Sequence, residues 1–311
     1  MRPFLSRLGI FLAFLPLGWL LLFAGALSSP ALEAKLIAQE SFWGYVNSKT
    51  LEWCALRDST PMDVLLFGSS TCYSGIDPSL FKIEGIQAFG FCSSAQCIPH
   101  SNRLIEASLK DQIPKVILLD VYPELWGREQ VDSEPVRDWI VNSNLWDTHW
   151  AHAYADLSAT SRSPYALMTM LYYWFRRSLS PSGLNSPADP DGHYGERGFV
   201  FRTFPPLGEI PEDEEISVTM TSKECGDIQA IAEMCLENKI ELLLVNPPQL
   251  VEEKFDKPEC MKGLNWIEGN DWSGAKDPRN FYDDHHLVGE GAQLYSKWLV
   301  SQVKQQAKSL R

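Results

Sequence analysis

Three short and almost entirely apolar runs constrain most strongly what this chain can fold into. They cover residues 64–67, 115–120 and 240–247. Stretches with the apolar spacing of amphipathic helices alternate with them, at residues 102–109, 227–238 and 289–305. Strands that are apolar on both faces are typical of a parallel sheet covered by helices on both sides. We therefore predict an α/β fold with a parallel central sheet, with residues 85–91 as a further strand.

A serine follows the first apolar run, and a group of acidic residues and histidines precedes the last predicted helix. In parallel sheets, reactive groups collect at the carboxyl ends of the strands, which is where Ser70 lies. A serine hydroxyl needs a base within hydrogen-bond reach and a third group that orients the base. Asp283 and His286 are three residues apart, so one tight turn directs both side chains to one pocket. We predict Ser70 as nucleophile, His286 as general base and Asp283 as the orienting carboxylate.

Other interpretations of these residues remain open. Ser69 and His285 are the adjacent competitors for the nucleophile and the base. Ser70 alternatively caps the helix that follows the strand. The histidines alternatively lie in a solvated loop, or bind a metal together with Asp283 and Asp284. We predict neither a metal nor a cofactor, because no further cluster of ligands accompanies these residues.

Polar residues also end the other predicted strands. We expect three of them to contact the substrate: Asp120, Tyr122 and Asn246. The carboxyl ends of neighbouring parallel strands lie along one edge of the sheet, which brings these residues near Ser70. Asp120 and Tyr122 are alternatively no more than polar residues at the end of a strand.

The N-terminal segment, residues 8–27, carries no charge and is rich in Leu, Phe and Ala. About 20 helical residues span roughly 30 Å, the thickness of the hydrocarbon core of a bilayer. Arg2 and Arg7 precede the segment, and the positive-inside rule then leaves the N-terminus in the cytoplasm and the body outside. A cleaved signal peptide, with residues 24–26 as the cleavage site, is the alternative. We expect an anchor at residues 1–30, a lead-in at 31–62 and one domain at 63–311.

An aromatic-rich stretch interrupts the alternating pattern at about residues 128–219. Its rings include Trp139, Trp146, Trp150, Tyr172 and Trp174. We interpret the stretch as a helical insertion packed on the main core, or as a lid or docking surface for a membrane partner. Residues 181–197 are rich in Pro, Gly and Asp, so we expect a loop without strands there.

Charge and cysteine content limit the function classes. The net charge is −13 and the pI is about 4.9, which disfavours binding to nucleic acid through a basic surface. The seven cysteines form no CxxC pair, which argues against a zinc ribbon or a thioredoxin-like motif. Cys92 and Cys97 can pair in an oxidising compartment, and buried free thiols are the alternative. Cys72, two residues after Ser70, has no base assigned to it.

Two blocks of the sequence resemble the SGNH hydrolase superfamily. Residues 67–70, followed by residues 75–78, resemble its first block, and Asp283-x-x-His286 before the last helix resembles its closing block. The combination is similar to the membrane-anchored extracytoplasmic branch that includes alginate O-acetylation proteins and the teichoic acid D-alanyl transfer protein. The resemblance implies a flavodoxin-like three-layer α/β/α sandwich in which Ser70, His286 and Asp283 are catalytic.

The resemblance also implies an activity and a partner. It implies an acyltransferase or esterase that acts on O-acyl groups of a cell-surface polysaccharide, with a membrane-bound O-acyltransferase as the source of the acyl group. The Gly-x-Asn-Asp block of the family has no match after Asp120, and residues 269–271 fall too late in the chain. Backbone N–H groups at Ser70 and in residues 90–95, with Ser94 among them, are the remaining oxyanion candidates. The alternative is a catalytically silent protein that binds glycan or scaffolds a membrane assembly.

Overall fold

The computed structural model describes residues 44–127, 190–211, 218–251 and 255–310, together with scattered positions outside these ranges. The strands of the described residues are β1 (Val64–Gly68), β2 (Ala88–Cys92), β3 (Val116–Asp120), β4 (Gly192–Tyr194), β5 (Val200–Arg202), β6 (Glu241–Asn246) and β7 (Asn265–Glu268). The α-helices described below are α1 (Val46–Leu56), α2 (Ser70–Tyr73), α3 (Pro78–Ile83), α4 (Ile98–Asp111), α5 (Ser222–Glu237) and α6 (Gly289–Gln306).

Five parallel strands form the central sheet, in the order β2-β1-β3-β6-β7. Because β4 and β5 pair in a separate antiparallel hairpin, the order counted within the sheet is 2-1-3-4-5. This is the strand order of flavodoxin-like doubly wound folds. The predicted α/β fold with a parallel central sheet is therefore confirmed. The order reverses beside β1, so the carboxyl ends of β1 and β3 border the crevice in which such folds bind ligands.

Side chains of the sheet alternate between two apolar layers. Leu65 and Phe67 of β1 pack in one cluster with residues of α1, α4 and α5. Leu66, between them, packs in the other cluster with residues of α2, α3 and α6. Complete burial of a side chain of this size contributes about 1.5–3 kcal/mol. The two layers enclose the sheet in a three-layer α/β/α sandwich, which holds the ends of the strands in fixed positions.

The final helix, α6, packs tightly on the loop that precedes it. Tyr295, Leu299 and Val303 are fully buried in the layer on its side of the sheet. Gly291, in the first turn of α6, lies against the backbone of Asn280. A Cβ atom at Gly291 would be 2.4 Å from the Asn280 carbonyl oxygen, so the close approach depends on glycine. The loop between Asn280 and α6 is therefore held against the helix.

Three strands, β4, β5 and β7, lie where the sequence pattern did not indicate any, and the first two fall within the stretch interpreted as a helical insertion. β4 falls within residues 181–197, so the prediction of a loop without strands is wrong there. It forms because it pairs with β5, whose Val200 is fully buried in the same apolar layer as α6. β7 is an edge strand in which only Ile267 is buried, and it had no counterpart among the predicted strands.

Two disulfides cross-link the described residues, Cys72–Cys92 and Cys225–Cys260. Their Cα–Cα distances are 6.0 and 5.5 Å, within the usual range. Of the two alternatives for Cys92 and Cys97, the mutual pair is not formed: Cys92 is bonded to Cys72 in the layer of α6, and Cys97 is buried in the layer on the other face without a disulfide among the described residues. Cys72 is bonded to Cys92, so its sulfur is not available as a nucleophile in this structure.

Several predicted segments lie outside the described residues. They are most of residues 8–27, all of residues 31–43 and most of residues 128–189. Within the described part of the chain, no helix is long and apolar enough to cross a membrane. Trp139 and Trp150 of the insertion are described, and both are buried in the same apolar cluster as Phe67. These two rings therefore pack on the main core.

Candidate active site

The end of β1 and the start of α2 form a tight turn of residues 68–71, named here the Ser70 turn. β1 ends at Gly68, and Ser69 has an extended backbone at the N-cap position of α2. Ser69 makes no side-chain capping bond, and Ser70 is the first helical residue rather than the cap. Because Ser70 is only half-buried, its side chain lies accessible at the carboxyl edge of the sheet.

Ser70, His286 and Asp283 lie in one hydrogen-bonded chain, named here the triad. Ser70 Oγ is 2.7 Å from His286 Nε2, and His286 Nδ1 is 2.8 Å from Asp283 Oδ2. The other carboxylate oxygen, Asp283 Oδ1, accepts the backbone N–H groups of His285 (3.0 Å) and His286 (2.6 Å). One tight turn thus holds the carboxylate and the imidazole as a unit, as the three-residue spacing predicts.

The protonation states of the triad suit a general base. Burial has the largest effect on His286 and lowers its pKa; the hydrogen bond to Asp283 opposes this, and the neighbouring His285 adds to it. Burial raises the pKa of Asp283, but the hydrogen bond and charge of His286 outweigh burial and leave that pKa below its usual value. Near neutral pH, the imidazole is therefore neutral and the carboxylate ionised, which is what proton abstraction requires. The Tyr282 ring stacks on His286, with centroids 5.3 Å apart, and restrains the imidazole.

His285 lies beside the triad but outside its hydrogen-bonded chain. Its Nδ1 is 2.7 Å from Asp284 Oδ1, and its ring stacks on Tyr122 with centroids 5.0 Å apart. Burial opposes protonation of His285, but the hydrogen bond to Asp284 and the charges of its acidic neighbours outweigh burial and raise the pKa. Of the two adjacent histidines, His286 is the one placed to accept the serine proton.

Two groups of three side chains have donor atoms close enough together for a metal ion. The first contains Asp283, His285 and His286, and the second contains Glu124, Asp284 and His285. In both groups, the histidine Nδ1 atoms already face carboxylate oxygens. The geometry therefore fits hydrogen bonding within this loop and adds no support to the metal interpretation.

Asp120, at the end of β3, is hydrogen-bonded to the Ser70 turn. Its Oδ2 accepts hydrogen bonds from Thr71 Oγ1 (2.5 Å), from Ser69 Oγ (3.3 Å) and from the Ser69 backbone N–H (3.4 Å). Its Oδ1 accepts the backbone N–H of Tyr122 (3.0 Å). The carboxylate is buried and saturated by these donors, so it faces the protein rather than a substrate. Sequence reasoning placed Asp120 near the site but missed this arrangement, for which the hydroxyl residues on both sides of Ser70 were the only local signal.

The loop after β2 lies next to the Ser70 turn. The Ser93 backbone N–H donates to the Gly68 carbonyl oxygen (3.1 Å). Two residues further on, Ala95 has a φ of 48°, a left-handed conformation that is strained for a residue other than glycine. No acceptor among the described residues takes the backbone N–H of Ser70 or of Ser94, which leaves both N–H groups able to bind an oxyanion. The Ser94 side chain makes no hydrogen bond to the triad within the described ranges.

Asn246 lies at the end of β6, on the wall of a cavity of about 1250 Å³. Its Nδ2 donates to Glu268 Oε1 (2.7 Å), a contact that sequence reasoning missed because β7 was not predicted. The aromatic rings of Phe255 and Trp266 also line the cavity. The backbone N–H of Leu250, another lining residue, donates to the carbonyl oxygen next to the triad loop, that of residue 284 (2.8 Å). One lining residue is thus hydrogen-bonded to the loop that carries Asp283 and His286, whereas no residue of the triad lines the cavity.

The late Gly-Asn-Asp match, residues 269–271, does not reach the Ser70 turn through any hydrogen bond of the described residues. Asn270 Oδ1 accepts the backbone N–H of Gln249 (2.9 Å) and so fixes the chain that follows β6. The position of this asparagine explains why it does not replace the missing block after β3.

No protein-family model and no curated protein matches this sequence. Solved structures with a similar outline include one assigned as an acylhydrolase from Bacteroides fragilis, with a TM-score of 0.39 and 10% identity over 84% of this chain and 98% of that one. Another is a GDSL-like lipase from Bacteroides thetaiotaomicron, with a TM-score of 0.38 and 10% identity over 83% of this chain and 98% of that one. These values are too low to carry an activity from either protein to this chain.

Proposed function

We propose that the chain is an SGNH-type serine acyltransferase or esterase that acts on O-acyl groups of a cell-surface polysaccharide. The observation that carries this proposal is the triad: a serine Oγ 2.7 Å from an imidazole whose other nitrogen is 2.8 Å from a carboxylate. Both distances lie within the hydrogen-bond reach that activates a serine.

The triad performs the reaction in two steps. Ser70 Oγ attacks the acyl carbonyl carbon while His286 Nε2 takes the hydroxyl proton, and the intermediate expels the donor alcohol, which receives that proton. The acceptor hydroxyl, of a sugar or of water, then gives its proton to His286 and attacks the acyl-enzyme. Collapse of the second intermediate returns the proton to Ser70. Asp283 keeps the imidazole in one tautomer and stabilises the imidazolium.

Backbone N–H groups stabilise the oxyanion in this mechanism. We assign this role to the N–H groups of Ser70 and Ser94, which donate to no acceptor among the described residues, and the strained backbone of Ala95 is consistent with a functional position. We assign no side-chain oxyanion donor at the end of β3, because Asp120 is a buried hydrogen-bond acceptor there.

A saccharide acceptor agrees with the cavity that Asn246 lines. Its volume of about 1250 Å³ exceeds the usual range of about 300–1,000 Å³ for small-molecule sites. Aromatic rings and the hydrogen-bonding groups of Asn246 and Glu268 line it together, a combination that suits a ligand with apolar faces and many hydroxyls. We therefore assign the acceptor glycan to this cavity.

The body lies outside the cytoplasm in this proposal. Disulfides persist in oxidising compartments, and two are present in the described residues. Export agrees with the uncharged residues 8–27 after Arg2 and Arg7, which we propose as a membrane anchor. A membrane-bound O-acyltransferase would then supply the acyl group on the same side of the membrane.

A serine-directed fluorophosphonate probe tests the proposal. We expect the wild-type protein to be labelled at Ser70, and Ser70→Ala to lose the label. Ser301→Ala, which changes an exposed serine on α6, is the matched control and should label like the wild type. Labelling of Ser70→Ala at the wild-type rate would remove Ser70 from the mechanism.

A catalytically silent glycan-binding protein is the second candidate. It is favoured by one observation: the Gly-x-Asn-Asp block of the resembled family has no match after β3, and Asp120, the last residue of β3, is a buried hydrogen-bond acceptor. A wild-type protein that binds acylated polysaccharide but is not labelled by the probe would support this candidate over the enzyme.

A further inference from the structure

The buried carboxylate of Asp120 accepts hydrogen bonds from the residues on both sides of Ser70 and none from Ser70 itself. Asp120 Oδ2 accepts the Thr71 hydroxyl at 2.5 Å, and both the hydroxyl and the backbone N–H of Ser69 at 3.3 and 3.4 Å. Gly68 completes the contact, because a Cβ atom there would lie 2.3 Å from the Asp120 Cβ. The carboxylate is therefore seated directly against the Ser70 turn.

The Ser70 turn has little of its own to hold it in place. α2 is four residues long, and isolated helices of that length are unstable. The N-cap residue, Ser69, gives no side-chain bond to the helix, since its hydroxyl is directed to Asp120 and Thr71 instead. Outside contacts must fix the direction of the Ser70 side chain, and Asp120 supplies three of them.

We propose that Asp120 is a positioning residue, which fixes the Ser70 turn so that Ser70 Oγ stays aligned with His286 Nε2. This inference rests on the proposed serine mechanism. Asp120 holds the turn from β3, while the Cys72–Cys92 disulfide ties the same helix to β2. The turn that carries Ser70 is thus linked to β2 and to β3, the two strands that flank β1.

The pKa of Asp120 agrees with a role in positioning Ser70 rather than in stabilising the fold. Burial raises the pKa of Asp120 to about 6, although the donors Thr71, Tyr122 and Ser69 oppose the shift. An ionised carboxylate in this position therefore costs free energy of folding at neutral pH. Replacing the carboxylate by an amide of the same shape removes that cost, so we expect the fold to survive. The alignment of Ser70 Oγ with His286 Nε2 is expected to be lost.

The test is the kinetics of fluorophosphonate labelling, separated into the maximal inactivation rate (kinact) and the concentration dependence (KI). We expect Asp120→Asn to lower kinact about 100-fold, since a misplacement of about 1 Å costs on that order, with KI unchanged within twofold. Thr71→Val removes the shortest of the three bonds and leaves Asp120 in place; we expect it to lower kinact about tenfold.

Asp77→Asn is the matched control. Asp77 is also buried and also accepts a backbone N–H and a hydroxyl, both from Ser79, but it caps α3 and makes no hydrogen bond to the Ser70 turn among the described residues. We expect this variant to label at the wild-type rate. Equal losses of kinact in both Asn variants would show a general effect of buried-carboxylate replacement and overturn the proposal.

Failure of this inference is distinguishable from failure of the proposed function. If the wild type is labelled at Ser70 and Thr71→Val and Asp120→Asn match its kinact, the serine mechanism stands and Asp120 has no positioning role. If the wild type is not labelled at all, the serine mechanism itself fails. Should Asp120→Asn not fold, Thr71→Val alone decides between these outcomes.

Discussion

At the scale of single residues, two adjacent histidines have pKa values shifted in opposite directions. The pKa of His286 is lowered, chiefly by burial, and that of His285 is raised by its acidic neighbours despite burial. Because only neutral His286 acts as a base, the labelling rate should rise with pH through a pKa below the usual 6.5. Measurement of kinact from pH 4 to 9 checks this, and a midpoint above 7 would contradict it.

His285→Gln should move this midpoint upward. The charge on His285 lowers the pKa of His286, so its removal makes His286 easier to protonate and shifts the acid limb to higher pH. The same series of pH-dependent labelling rates measures the shift. A midpoint that stays in place or falls would show that the two rings are not coupled.

Asp283→Asn should move the midpoint of the pH profile in the direction opposite to His285→Gln. It should also lower the labelling rate far more. The carboxylate raises the pKa of His286, so its loss moves the midpoint downward. The tautomer is then no longer fixed, and we expect kinact to fall by roughly 10³–10⁴-fold at every pH. A loss confined to low pH would mean that Asp283 contributes only charge and not orientation.

The residues of the triad were predictable because local spacing encodes them. Ser70 follows an apolar run, and Asp283 and His286 share one turn, so each signal lies within a few residues of the chain. The bonds of Asp120 and of Asn246 were not predictable, because their partners Thr71 and Glu268 come from other elements and no local pattern marks a buried acceptor.

At the scale of the elements, the two disulfides allow a matched comparison. Cys72–Cys92 ties α2 to β2, whereas Cys225–Cys260 ties α5 to the segment before β7. Replacing either pair by alanine should lower the free energy of unfolding by about 3 kcal/mol, a typical value for loops of 20 and 35 residues. Only the first pair should also lower the labelling rate of the serine. Equal labelling by both double variants, measured beside urea unfolding, would show that the first disulfide does not support the Ser70 turn.

Two glycines in helices should respond oppositely to alanine. In Gly291→Ala, the new methyl group meets the Asn280 carbonyl oxygen at 2.4 Å, so the loop that carries the base must move. We expect a loss of about 1–3 kcal/mol in stability together with slower labelling. Gly226 of α5 is exposed with open space around it, and Gly226→Ala should add about 0.5–1 kcal/mol. Thermal unfolding of both variants checks the pair, and a stabilised Gly291→Ala protein would contradict the tight packing.

Long elements with a strong apolar pattern were predicted, and short ones were not. The predicted strands at residues 64–67, 115–120 and 240–247 and the last helix correspond closely to β1, β3, β6 and α6. β4 and β7 have three and four residues, and their side chains are mostly half-exposed. β4 pairs with the nearby β5 and β7 pairs with β6, but both strands are too short and too evenly exposed to give an apolar periodicity along the chain.

At the scale of the whole molecule, the sequence specified the layers through strands that are apolar on both faces, and it left open the arrangement of the insertion and of residues 8–27. We expect the full chain to stay with membranes during alkaline carbonate extraction, and a variant without residues 8–27 to be released. A phosphatase that is active only outside the cytoplasm, fused after Arg311, should be active on the full chain and inactive on a chain without residues 1–30. An inactive fusion to the full chain would place the body in the cytoplasm.

The side chains that meet in the triad are far apart in the chain: 216 residues separate Ser70 from His286. During synthesis from the N-terminus, the hydroxyl therefore emerges well before the imidazole that we propose as its base. Until residue 286 has been made, the serine of the growing polypeptide has no such partner. On the proposed mechanism, the ribosome thus handles an unreactive precursor, and the serine becomes a nucleophile only after the C-terminal part of the domain has folded.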